Sequence, residues 1–469
     1  MKQSVPVWSP DCNGSIHVQP TQESVTSDAG VLLLRQALDT SGVIEALSRQ
    51  LQDQRNPLYV QHPLSRQLRT VLLQRAMGWF DLSDTPLLDN DPLWRLACSD
   101  ARGLAPLEDT SPSQPTLSRL ITCLSRAPNL ESLHEAVLRM AVWRLNSLPR
   151  VAPFTSSPTV IDIDGLPIEV MGHQGGSDYN GYAGTRIYSP LIASIAETGD
   201  MLGGLLRPGN AGTATGAAEW IPHLIERLTA HTGCDVAQFQ VRIDAGFTDG
   251  ATLSALEAHH ITYLGRLKSN EVLNRMAAPY LTRPAGRPPN ELREWYHELT
   301  YRAGSWETPR RVILVVKEKE QKKPEDKPFD TFFLVTNLAR RHYPPHQVLA
   351  LYRRRGKAEA HMGELKSALN VHLSSTDRGT LTVQEVMARN QVHLLLNLMA
   401  YQILHGLRGL MERRTGHGMR LVTLREQVLK VGAIVKISAR QIRVCLGAAA
   451  DKGWRRMLLS IPSLRPHPG

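Results

Sequence analysis

The segment Thr159-Val-Ile-Asp-Ile-Asp164, closed by Gly165, is short, rich in β-branched residues and alternating, and reads as a β-strand. Side chains alternate along a strand with period two, so Asp162 and Asp164 share one face while Ile161 and Ile163 share the other. Thr185 to Ala196 and Met201 to Leu206 are the next two strand candidates, joined by a turn at Glu197-Thr-Gly-Asp200. Thr213 to His231 then reads as a helix, and Phe239-Gln-Val-Arg-Ile-Asp244 as a strand stopped by Ala245-Gly246. Thr248 to His259 is a further helix and Ile261 to Leu267 a further strand. The order strand, strand, strand, helix, strand, helix, strand predicts an α/β core.

Asp244 ends its strand facing away from Val241 and Ile243. Carboxylates at the ends of adjacent strands in an open α/β sheet stand where ligands bind. Oxygen-rich acidic clusters suit hard cations such as Mg²⁺, which takes one or two carboxylates plus substrate phosphate. A single aspartate after a strand serves equally well as a helix cap or a turn residue.

A second stretch narrows the chemistry: Tyr352-Arg-Arg-Arg-Gly-Lys-Ala-Glu-Ala-His-Met-Gly-Glu-Leu-Lys366. Read as one helix at ~100° per residue, it puts Tyr352, Arg355, Glu359 and Lys366 in a stripe roughly 60° wide, with Glu364 roughly 140° away from Glu359. An aromatic, two cations and a carboxylate on one stripe are suited to hold phosphate and metal together. The plain alternative is a solvated helix with an Arg355–Glu359 pair, worth ~0.3–0.5 kcal/mol.

Working outward, residues 1–150 read as a helical N-terminal domain, with apolar residues at helical spacing in Val31–Leu47, Leu64–Trp79, Thr116–Leu124 and Leu130–Leu145. Residues 151–268 hold the first part of the core. Residues 269–345 read as a β-rich insertion, with strands at His297–Arg302, Arg310–Lys317 and Thr331–Val335, a loop at Pro284 to Pro289 and a polar run at Glu318 to Lys327. Residues 346–375 carry the final core helix, and 376–469 read as a basic helical region. From Arg340 onward there are 22 Lys and Arg against 7 Asp and Glu, a net of +15 in a chain whose total is +10. A basic C-terminal third on a mildly acidic body suggests a polyanionic partner, or else a solvated basic surface.

The 469 residues exceed what one hydrophobic core sustains, so several domains are expected. No 20–50 residue repeat is evident, which argues against a solenoid or propeller. No stretch reaches the roughly 18 uncharged apolar residues of a membrane span, and Met1 to Asn13 has no apolar core of signal-peptide type. Five scattered cysteines without a CxxC pair argue against a disulfide scaffold or zinc ribbon and suit a reducing cytoplasm.

These residues together resemble the DDE transposases of bacterial insertion sequences. Three strands, helix, strand, helix, strand and a Glu-bearing helix is the order of the ribonuclease H-like fold. The spacing of Tyr352, Arg355, Glu359 and Lys366 is similar to the Tyr-Arg-Glu-Lys signature of a cut-and-paste group that carries a β insertion. Further stretches look like the DDE-domain group 1 branch: Asp81-Leu-Ser-Asp84 with Asp91-Pro92, Ser113-Gln-Pro-Thr-Leu-Ser-Arg119, Asn180-Gly-Tyr182, Leu206-Arg-Pro-Gly-Asn210 and Arg242-Ile-Asp-Ala-Gly-Phe247.

The resemblance implies a ribonuclease H-like catalytic core with a β-rich insertion, flanked by a helical N-terminal domain (1–150) that binds DNA ends and a basic helical C-terminal region (376–469) for DNA contact or dimerisation. It implies Asp164, Asp244 and Glu359 as catalytic metal ligands, with Asp162 an alternative to Asp164. It implies two Mg²⁺ ions, with Mn²⁺ able to substitute, and Tyr352, Arg355 and Lys366 as DNA-backbone contacts. Trp295 and Trp306 are candidates for a tryptophan that stacks on a base in related enzymes. Partners would be double-stranded DNA, both terminal inverted repeats and target, and a second copy of the chain in a cytoplasmic, nucleoid-associated complex. A ribonuclease H-like nuclease without strand transfer and an inactive DNA-binding descendant are the alternatives.

Overall fold

The computed structural model describes residues 8–146, 158–181, 183–282, 293–318, 328–369, 373, 380–416, 418–439, 441–450, 454, 455 and 457. Tyr182, the Pro284 to Pro289 loop and residues 319–327 lie outside these. The chain divides into two units. One comprises Met1–Ala37, Gln61–Leu117 and Leu407–Gly469, and the other Leu38–Val60 and Ser118–Gly406.

The larger unit is built on an eight-stranded sheet. Its strands are β1 (Thr159–Gly165), β2 (Leu191–Ile195), β3 (Met201–Leu205), β4 (Phe239–Ile243), β5 (Thr262–Leu267), β6 (Glu294–Tyr301), β7 (Arg310–Glu318) and β8 (Phe329–Thr336), in the spatial order β6-β7-β8-β5-β4-β1-β2-β3. β1, β4 and β5 are parallel neighbours, while β2 runs antiparallel to β1 and to β3. The insertion strands continue this sheet: β8 pairs antiparallel with β5, Leu334 opposite Arg266, and β7 and β6 follow in register.

Helices cover both faces. Ile161, Ile163, Val241 and Ile243 pack under α1 (Ala127–Asn146), α2 (Ala217–Thr232) and α3 (Gly250–Ala258) in one continuous core. The opposite face carries Leu264, Ile313, Val315 and Leu334 under Val348 and Leu349 of α4 (Pro345–Arg353). α5 (Gly356–Leu369) and the first part of α6 (Val383–Thr415) lie along the same face. There Leu394 and Leu398 approach so closely that a Cβ at Gly204 would sit 3.1–3.2 Å from their methyl groups. α6 is also polar inside: Gln391 bonds Gly204 O at 2.9 Å and Leu206 N at 2.6 Å, and Gln402 bonds Met201 O at 3.0 Å. These two glutamine amides satisfy the backbone of edge strand β3. No described helix is long and apolar enough to cross a membrane.

Three expectations from sequence change. Thr185 to Ala196 is not one strand: Pro190 cannot donate to a ladder, and Thr185–Tyr188 instead pairs with Ile168–Glu169 and Asp178–Asn180 in a separate small sheet. Tyr352 to Lys366 is not one helix: α4 ends at Arg353, Arg355 N bonds Tyr352 O at 3.0 Å in an i→i−3 turn, and α5 opens at Gly356. The 376–469 region is not wholly helical. Ala433–Ile437 and Ile442–Leu446 form a hairpin, as their alternating β-branched residues allow, and it pairs with Val25–Thr26.

That three-stranded sheet belongs to the smaller unit. There Asp28 accepts from the indoles of Trp79 (2.7 Å) and Trp94 (3.0 Å). Asp81 and Asp91 are helix caps, Asp81 accepting from Ser83 N and Asp91 from Leu93 N. Asp91 also accepts from the Thr26 hydroxyl at 2.6 Å, so both family-like acidic motifs have structural partners.

Candidate active site

Pairing of β1 with β4 sets Asp162 opposite Arg242. Two residues further on, Asp164 and Asp244 therefore leave neighbouring parallel strands side by side, on one face of the sheet and at its C-terminal rim. Gly165 N donates to Asp164 Oδ1 at 2.9 Å and Gly246 N to Asp244 Oδ1 at 2.7 Å, fixing both carboxylates. Their other oxygens converge on one cation. Arg355 Nη2 lies 3.1 Å from Asp164 Oδ2 and 4.0 Å from Asp244 Oδ2. Burial pushes the Asp164 carboxyl above the usual carboxylate range, the Arg355 guanidinium opposes this, and the Asp244 charge reinforces it. Among the described residues, buried Arg355 Nε has no hydrogen-bond partner.

Asp162 is engaged elsewhere. Arg242 Nε and Nη2 donate to its two oxygens at 2.5 and 2.7 Å, and Arg242 Nη1 donates to Leu351 O at 2.6 Å. This nearly water-free ion pair ties β1, β4 and α4 together. Asp162 therefore serves the frame beneath the site, and Asp164 is the carboxylate presented at the rim. Sequence reading passed over Arg242, although residues 240, 242 and 244 share the face of Asp162.

A second arginine shapes the loop beside Asp244. Buried Arg207 donates to Ser189 O (2.7 Å), Gly212 O (3.1 Å), Thr213 O (2.6 Å) and Thr215 O (3.0 Å). Burial lowers its pKa to about 10. The loop so folded brings Thr213 against Gly246, where a Cβ would lie 2.2 Å from the Thr213 methyl. Glycine at 246 is a requirement of this close approach.

Asp244, Tyr352 and Arg355 also line a cavity of about 580 Å³, together with Arg266, Lys268 and Phe332. Burial raises the Tyr352 hydroxyl pKa. Asp164, Asp244, Tyr352 and Arg355 are thus gathered. Glu359 and Lys366 are not: α5 buries Met362, Leu365, Ala368 and Leu369, which leaves both on an exposed shoulder. Among the described residues, no three His, Cys, Asp or Glu side chains stand within reach of one ion. The paired aspartate oxygens nonetheless fit a divalent ion, since Mg²⁺ takes one or two carboxylates and completes its shell with water and phosphate.

Neither tryptophan of the insertion faces this cavity. Trp306 is buried, edge-on to Tyr301 with centroids 5.5 Å apart and under the Arg310 guanidinium at 4.9 Å. Trp295 is half-buried against Phe329, and its indole donates to Tyr280 O at 3.3 Å. Both are packing residues here.

Among solved structures, the chain is similar to piggyBac transposase in a synaptic complex with hairpin DNA. The two share 13% identity over 96% of this chain and 89% of that one, with a TM-score of 0.39. No curated protein matches the chain. A family model described as transposase DDE domain group 1 matches residues 9–464. Matched over nearly its whole length, the chain belongs to the transposase DDE domain group 1 family.

Proposed function

We propose that the protein is the transposase of a bacterial insertion sequence, binding double-stranded element ends as a homodimer and cutting and rejoining DNA strands. The strand order β3-β2-β1-β4-β5, with β2 alone reversed among these five, supports a ribonuclease H-like core. The observation that carries the reading is the pair Asp164 and Asp244, in register at the sheet rim and sharing one cationic group.

Asp164 and Asp244 would hold Mg²⁺, or Mn²⁺ in its place, which would supply Lewis-acid charge for in-line displacement at a phosphodiester. The chain's own residues do the rest. Asp164 and Asp244 are held by the Gly165 and Gly246 amides so that the second oxygen of each, which faces Arg355 here, would turn to the ion once Arg355 withdraws. Glu359, exposed on α5, is the third carboxylate of this reading. Arg355 exchanges its carboxylates for a DNA phosphate, and Tyr352 and Lys366 contact the same backbone.

Cleavage of duplex DNA from the flanks of its own gene tests this reading. The wild-type protein nicks it in Mg²⁺ and joins precut ends to a second duplex, which a nuclease does not. Asp244→Ala binds the duplex but does not cut it. Cutting by that variant at a rate near wild type would remove Asp244 from the site.

A further inference from the structure

The smaller unit carries two surfaces that its own chain leaves uncovered. The first is an arm over residues 8–25. Trp8 and Val18 exchange backbone hydrogen bonds, Trp8 N to Val18 O at 2.9 Å and Val18 N to Trp8 O at 2.7 Å. The loop between them closes on Asn13, which accepts from Ser15 N through Oδ1 at 3.0 Å and from Ile16 N through its carbonyl at 3.0 Å. These local bonds shape the arm without burying its large apolar side chains. Trp8 is 64% exposed, and Ile16, Val18 and Val25 are exposed with it. Apolar side chains exposed singly are ordinary, whereas four along one short arm mark a contact surface. The arm holds Asp11 and Glu23 but no Lys or Arg, so a polyanion is not what it fits.

The second surface is the outward face of the three-stranded sheet. Val25, Ile434 and Cys445 are direct cross-strand neighbours, and so are Lys436 and Arg443. Because side chains alternate, all five share one face, while Thr26, Ala433 and Val435 of the other face are buried. Val25, Cys445, Lys436 and Arg443 are exposed. The face is thus an apolar row beside a basic row. Arg443 Nη2 donates only to the neutral Gln441 Oε1, at 3.1 Å, and among the described residues neither cation meets a carboxylate within ion-pair distance.

The two surfaces complement each other: apolar groups with acids on the arm, apolar groups with cations on the sheet. Both belong to one unit of one chain, which is the condition for a self-complementary contact about a two-fold axis. We propose that a second copy of this chain covers them, the arm of each protomer lying across the sheet face of the other. Trp8, Ile16 and Val18 meet the apolar row, and Asp11 and Glu23 meet the basic row. The assignment rests on the homodimer of the transposase reading and gives it an interface, one that forms without DNA.

The test uses the full chain without DNA. Sedimentation equilibrium is expected to show a dimer for the wild-type protein. W8S/V18S and K436E/R443E are each expected to raise the dimer dissociation constant about thirtyfold, as for loss of one hot-spot contact. Adding D11K/E23K to K436E/R443E restores opposite charges and is expected to restore the dimer, which shows that the loss is not misfolding. A bifunctional thiol crosslinker locates the contact, since Cys12 lies on the arm and Cys445 on the sheet face, both exposed. C12S and C445S should each lose the crosslinked dimer, and a mixture of the two should regain it, because each supplies the thiol that the other lacks. A monomeric wild type, an unchanged dissociation constant in either double variant, or a Cys12–Cys445 link formed only within one copy overturns the proposal. So does a K436E/R443E protein that dimerises normally and loses affinity for DNA. Any of these results leaves the transposase reading intact if the wild-type protein still cuts and joins; conversely, a dimer linked through Cys12 and Cys445 that never cuts DNA keeps the interface and loses that reading.

Discussion

Asp162 and Arg242 meet through two parallel hydrogen bonds inside the sheet, with both side chains almost completely removed from water. Breaking one partner of such a pair leaves an uncompensated charge at a cost of about 3–5 kcal/mol. Asp162→Ala should therefore lower the urea midpoint strongly, and any loss of cleavage should track the unfolded fraction. Unchanged stability together with abolished cleavage would return Asp162 to the catalytic set.

Asp164 behaves in the opposite sense. Burial raises its folded-state pKa, so its contribution to stability is fully present below the unfolded value of about 3.9 and is lost as pH rises through the folded value. Asp164→Asn is expected to be more stable than wild type at pH 7, with the gap closing as pH approaches 4. Urea melts at the two pH values measure it; a gap that does not narrow on acidification rules the account out.

Arg355 is the internal counter-charge of the two acids. At an effective dielectric of ~20, unit charges about 4 Å apart attract by ~4 kcal/mol, less where solvent reaches them. Arg355→Ala should consequently tighten Tb³⁺ binding to DNA-free protein by about tenfold, read by lanthanide luminescence. Equal or weaker binding would mean that Arg355 does not compete for the carboxylates.

Lys366 stands exposed on α5, one residue beyond buried Leu365. Lys366→Ala should leave the melting temperature within a degree or so and weaken DNA-end complexes, with the salt slope reduced by about 0.9 for one duplex phosphate contact. An unaltered slope would leave Lys366 as surface charge only.

The rim acids were legible because period-two alternation is local: Asp164 and Asp244 each face away from isoleucines that must be buried. Their surroundings were not. Arg242 pairs across 80 residues of chain, and nothing local separates it from a solvent-facing arginine. Arg207 organises its loop through backbone carbonyls, which leave no mark in side-chain pattern. The break between α4 and α5 was hidden by residues with good helical spacing on both sides, and Gly356 was its only local sign. The C-terminal hairpin strands span five residues each, too short for periodicity alone to oppose a helix.

Because β8 continues the ladder of β5 from Leu264 to Leu267, the insertion is not an appendage that can be trimmed away. A truncated chain lacking residues 294–336 would expose four consecutive backbone positions of a buried strand, a ready template for intermolecular β-pairing. Chimaeras between relatives should accordingly exchange β5 through β8 as one block, and shortened versions should fail through aggregation before any deficit in chemistry can be seen.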